Sequence, residues 1–163
     1  MKLNYRRTIL AGLAFMAIFS FWQTYDNIVP LILKNSFQMN EVMTGVVMAA
    51  DNVLALFLLP LFGTLSDKTD TKWGKRKPYI VIGSLLTVVA IAFMPIGDNA
   101  RSLPMFLIST GLVLLFMAFF RSPTVALMPD VTPRPLRSKG NAIINLMGTV
   151  GAIYALIMTR VLV

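Results

Sequence analysis

The sequence predicts an all-α integral membrane protein with five transmembrane helices. Three observations carry that expectation. Of the 163 residues, 56% are hydrophobic and only 13% are charged, whereas an ordinary soluble domain carries about 25% charged residues. The apolar residues gather into five runs, each near the ~20 residues needed to cross a bilayer. The cations fall between the runs, and mainly in alternate connections.

The first run, residues 8–33, follows Lys2, Arg6 and Arg7. That basic start looks like a signal peptide, and the arginine pair looks like a twin-arginine motif. The run is too long for a cleaved leader and has no small-residue cleavage site, so it is expected to stay as the first span. The second run, residues 41–65, follows the turn formers Asn35 and Ser36. The third, residues 79–95, restarts after Pro78, a residue suited to the first turn of a helix. The fourth, residues 103–128, follows Gly97, Asp98 and Asn99, and the fifth, residues 140–163, follows Thr132-Pro133-Arg134-Pro135. In lipid the backbone must satisfy its own hydrogen bonds, so apolar runs of this length are helices and not lone strands.

The connections have a sidedness. Lys2, Arg6 and Arg7 precede the first run, Lys68, Lys72, Lys75, Arg76 and Lys77 join the second to the third, and Arg134, Arg137 and Lys139 join the fourth to the fifth. These eleven cations lie on one side, against Lys34, Arg101 and Arg160 on the other. By the positive-inside rule the N-terminus is cytoplasmic and the C-terminus faces out. The expected location is the inner or plasma membrane of the cell, with the lipid bilayer as the first partner.

The residue inventory excludes much. There is no Cys and no His, hence no disulfide, no thiolate metal site and no Ser-His-Asp triad. No glycine-rich phosphate loop of the Walker or dinucleotide type is present. No enzyme activity, metal or cofactor is expected. A net charge of +8 raises nucleic acid as a candidate partner. The cations sit at the edges of apolar runs, however, and not on a basic face with interleaved aromatics, so nucleic acid is not an expected partner.

The polar island "SDKTDTKWGKRKP", Ser66–Pro78, holds five of the cations behind a leading aspartate. Gly63 lies one turn before Asp67, where a glycine lets helices approach closely and a carboxylate can meet the positive end of a neighbouring helix. Trp73 is an interfacial aromatic. The stretch "GTLSDKTDTKWGKRKP", Gly63–Pro78, resembles the loop between the second and third helices of major facilitator superfamily transporters, and its ending is similar to that of the glycoside–pentoside–hexuronide:cation symporter branch. A second stretch, "FRSPTVALMPDVTPRPLRSKGNAIINLMG", Phe120–Gly148, resembles the sucrose-transporter and solute carrier family 45 group of that branch.

The resemblance implies a fold and a set of roles. The chain would be five helices of an incomplete N-terminal six-helix bundle of the major facilitator fold, the remaining C-terminal helices of the same transporter being a further partner. A cytoplasmic gate would fall on Gly63, Asp67 and Arg76, with Asp130 and Arg137 as further members. An inverted repeat would relate helices one and four, and both read as interrupted by polar residues and proline: "WQTYDNIVP", Trp22–Pro30, and "RSPTVALMP", Arg121–Pro129. Trp22, Gln23, Tyr25, Asp26, Asn27 and Arg121, with Asn141 and Asn145 one turn apart on helix five, offer the mixture of polar groups and flat rings that suits a sugar or glycoside.

Asp51 and Arg121 are the charges deepest in the apolar runs, and an intramembrane charge is a functional hypothesis by default. In melibiose-type relatives the second helix carries acidic cation-site residues and the fourth an acidic sugar ligand. Aligned on Trp73-Gly74-Lys75, this chain has Ala55 and Leu59 at the former positions and Arg121 at the latter. Sodium coupling of that type is therefore not expected, and Asp51 is the candidate carrier of a coupling proton. The reading is secondary active transport of a sugar by proton symport. The alternatives are an exporter of drugs or metabolites in the same superfamily and a membrane interaction protein that does not transport.

Overall fold

The computed structural model describes residues 5–162. Lys2, and Val163 at the expected end of the fifth helix, lie outside the described residues. The described chain is helical, with five long helices: α1 (Tyr5–Asn35), α2 (Glu41–Lys68), α3 (Lys77–Asn99), α4 (Leu103–Val131) and α5 (Arg137–Leu162). A short 3-10 turn, Arg134–Leu136, leads into α5. All five long helices are long and apolar enough to cross a membrane.

The helices outlast the apolar runs because their last turns are polar or glycine-bearing. α2 continues through Ser66, Asp67 and Lys68, so Asp67 is a helical residue and not a loop residue. α3 runs on past Pro95, its expected end, and takes in Gly97, Asp98 and Asn99, which were expected as a turn. It can do so because Gly97 seats the helix against the chain at Phe106: a Cβ there would lie 2.8 Å from the Phe106 nitrogen. α5 begins three residues early, at Arg137.

The expected interruptions of helices one and four are absent. α1 runs unbroken through Pro30, and α4 through Pro123 and Pro129. Each proline removes one N–H from the helical ladder, a loss that spanning helices absorb by local adjustment.

The chain forms two compact units, Val29–Pro123 and the paired ends Met1–Ile28 with Thr124–Val163. In the Val29–Pro123 unit α4 supplies the core: Phe106, Val113, Met117 and Phe120 are buried at helical spacing. α3 reaches α4 through Gly83, where a Cβ would lie 3.0 Å from the Phe120 backbone. α2 reaches α4 through the Phe62 and Phe119 rings, 5.0 Å apart. The start of α2 is capped by Asn40, whose side chain accepts from the Met43 N–H at 2.8 Å.

In the unit made of the chain ends, α1 and α5 meet through small residues. A Cβ on Gly148 would press on the Phe19 ring at 3.0 Å, and one on Gly151 would meet Met16 and Ser20. The Ser20 hydroxyl donates to the Gly151 carbonyl at 2.8 Å. Small residues at a membrane helix crossing let backbones come this close.

Candidate functional site

The charged loop closes on itself. Asp67 lies in the last turn of α2 and Arg76 caps the start of α3. By the helix-dipole rule each charge is at the unfavourable end of its helix. They relieve one another: Arg76 Nη2 pairs with Asp67 Oδ1 at 2.5 Å. Arg76 Nη1 donates to Ser66 Oγ at 2.6 Å, and that hydroxyl in turn donates to the Gly63 carbonyl at 3.2 Å. The Arg76 side chain is only 11% exposed, the Asp67 side chain 59%. Tyr79 braces the same corner, its hydroxyl 2.6 Å from Thr69 Oγ1 and its ring 5.0 Å from Phe119.

Within the membrane-spanning part of the same unit, Asp51 on α2 and Arg121 on α4 lie within electrostatic range of each other. Asp51 is buried, and its Oδ1 has no hydrogen-bond partner among the described residues. Next to Arg121, Ser122 Oγ donates to the Leu59 carbonyl at 2.7 Å and sits against Gly63. The two helices are thus held together one step beyond the charged pair. Sequence reasoning missed both Ser122 and Ser66. The available signal was position: each serine neighbours a candidate charge in the chain.

The other candidates lie in the unit of the chain ends. Phe21, Trp22 and Tyr25 form a ring cluster, with Trp22 and Tyr25 edge-to-face at 5.6 Å and Phe21 stacked on Tyr25 at 5.8 Å. Tyr25 is buried at the centre of that cluster, while Asp26 and Asn27 are exposed. Asn27 donates to the Gln23 carbonyl one turn back at 2.6 Å. Asn141 and Asn145 are exposed on successive turns of α5, and Asp130 and Arg137 are exposed around the α4–α5 connection.

A cleft of about 230 Å³ lies between α1 and α5, lined by Ser20, Thr24, Ile28, Tyr154, Met158 and Thr159 among others. None of the expected sugar ligands lines it. The hydroxyls of Ser20, Thr24 and Thr159 are already committed to backbone carbonyls, so the cleft is chemically apolar. It is also smaller than the ~300–1,000 Å³ usual for small-molecule sites.

Five long apolar helices, with a buried carboxylate and a partly buried arginine within them, define a multi-pass membrane protein. Residues 4–163 match the Major Facilitator Superfamily model, and the chain belongs to that family, one of transporters and not of enzymes. It is 36% identical over 70 residues to a lactose permease of Lactobacillus delbrueckii subsp. bulgaricus, an alignment covering 41% of this chain and 11% of that protein. It is 25% identical over 120 residues to the sucrose transport protein SUC3 of Arabidopsis thaliana, covering 62% of this chain and 20% of that protein. The chain thus spans well under two thirds of the length of these relatives. No solved structure matches it.

Proposed function

We propose that these helices belong to a secondary transporter that moves a sugar or glycoside in symport with protons across the inner or plasma membrane, with the N-terminus in the cytoplasm. The observation that carries the coupling is the buried Asp51 carboxylate beside Arg121. A carboxylate in a spanning helix is costly and is kept where it serves an ion pathway. Ala55 and Leu59, one and two turns further along α2, offer no second carboxylate for a metal cation. A single carboxylate that can gain and lose a proton, with an arginine to balance its charged form, suits proton coupling. The names of the lactose and sucrose relatives support a sugar as the cargo.

Trp22, Gln23, Asp26 and Asn27 on α1, with Asn141 and Asn145 on α5, are the proposed sugar ligands, and Tyr25 holds the Trp22 ring. Asp67 and Arg76 close the cytoplasmic side in one of the alternating states. Gly63 and Ser122 let α2 and α4 approach, and Asp130 and Arg137 are proposed as further charges of the gate.

The test uses the whole transporter in proteoliposomes with radiolabelled lactose or sucrose. Asp51→Asn should abolish accumulation driven by an imposed pH difference yet spare exchange of sugar down its gradient. If Asp51→Asn still accumulates sugar against a gradient, the coupling role is lost.

A further inference from the structure

The charged loop has an outward face that the Asp67–Arg76 pair does not use. Of its five cations, Arg76 turns inward to Asp67 and Ser66. Lys68, Lys72, Lys75 and Lys77 are all exposed, and Asp70 is the one carboxylate left among them. Their display is built. A tight turn closes by the Gly74 N–H donating to the Thr71 carbonyl at 2.8 Å and the Thr71 hydroxyl donating to the Gly74 carbonyl at 2.7 Å. Gly74 takes φ +92°, a conformation that costs glycine little and other residues much. The turn sets Lys72 and Trp73 at its tip, and Trp73 is 68% exposed.

We propose that this loop is a docking surface for anionic phospholipid headgroups of the leaflet it faces. The loop joins two spanning helices, so it lies at the membrane surface. A large indole held out at that level is where tryptophan is favoured, in the headgroup zone. Four ammonium groups around it meet the negative surface, and clusters of this size beside a spanning helix bind acidic lipids. A sidedness signal alone would need the lysines but neither a locked turn nor an exposed indole at its tip. The lysines also cannot all be partners of the internal pair, because Arg76 already fills that place.

Trp73 itself reports the contact. The full transporter is placed in vesicles of equimolar phosphatidylglycerol and phosphatidylcholine, with bromine near the headgroup of one lipid at a time. The Trp73 signal is the difference between the wild-type protein and Trp73→Phe. Brominated phosphatidylglycerol should quench it several-fold more than brominated phosphatidylcholine. Each lysine near the surface adds its own attraction to an anionic leaflet, so the four together favour the charged lipid as neighbour. The bias should vanish at 1 M salt, where the Debye length is ~3 Å, and in the variant with all four lysines changed to Gln. That variant is checked for intact helicity and for an unchanged Trp73 spectrum in pure phosphatidylcholine. Equal quenching by the two lipids would overturn the proposal, as would a bias that survives the four substitutions. Loss of the bias on adding free glycerol phosphate would also overturn it, by assigning the lysines to a soluble phosphate.

Discussion

Arg76 gives the sharpest test of the proposed cytoplasmic gate, because its contacts rank in strength. The pair with Asp67 has one partner 59% exposed, and a pair so open to solvent contributes at most about 1 kcal/mol. The bond to Ser66 runs from a charged donor to a fully buried hydroxyl, and such bonds contribute about 1.5–3 kcal/mol. Two effects reduce the loss on Arg76→Gln. Ser66 keeps its own bond to Gly63, so it is not orphaned, and removing a cation from a helix start relieves about 0.3–1 kcal/mol of dipole repulsion. The net change is about 1–2 kcal/mol. If the contact forms in only one of the alternating states, the state ratio moves by a factor of about 5–30. Turnover in sugar exchange should therefore fall by that factor for Arg76→Gln, by less than about fivefold for Asp67→Asn, and by an intermediate amount for Arg76→Lys, which cannot hold both partners. The KM for sugar should stay within about twofold throughout, since a lost interaction outside the binding site alters turnover and not uniform binding. Kinetics in proteoliposomes check this. A larger effect from Asp67→Asn than from Arg76→Gln, or a change confined to KM, would refute the reasoning.

Two further outcomes follow from the fold. Gly97→Ala places a Cβ 2.8–2.9 Å from backbone atoms of Phe106, which cannot swing aside; a loss of about 1–3 kcal/mol is expected, seen as a lower unfolding midpoint in detergent, and an unchanged midpoint would show that α3 does not rest on α4 there. A protease site inserted at Asp70 should be cut from the cytoplasmic side, and one inserted at Arg101 from the opposite side; cutting of both from one side would overturn the proposed orientation.

The spans were legible because lipid imposes a composition that no soluble core of this length would need, and Asp67 with Arg76 only through the resemblance of Gly63–Pro78 to a family loop, since five cations and a second aspartate share that connection. The helix ends were not legible. Ser66, Asp67 and Lys68 read as loop residues, yet helical hydrogen bonding continues wherever neighbours can carry the last turn. The prolines misled in the opposite sense. Pro30, Pro123 and Pro129 suggested breaks, but a spanning helix that loses one N–H has no water competing for the rest of its ladder. Ser122 and Ser66 were missed because their one signal was position beside a candidate charge, and a serine has no period of its own. Only the fold shows whether its hydroxyl turns back to its own helix or across to another. The burial of Tyr25 was hidden for a similar reason, since an amphipathic ring reads equally as ligand or as core.

The separation of Asp51 from Arg121 along the chain bears on how the protein is made. Several hydroxyls in the spans are sealed by their own helix: Thr87, Ser109, Thr110, Thr149 and Thr159 each donate to a carbonyl four residues back. Helices sealed in this way can leave the insertion machinery singly. α2 is not sealed in this way, because its carboxylate is answered by a residue 70 positions later in the chain. At ~5–20 residues per second of synthesis, that is a delay of roughly 4–14 s. For that interval α2 carries an acidic group into the bilayer whose arginine has not yet been translated, so α2 must linger beside the translocon or enter lipid protonated.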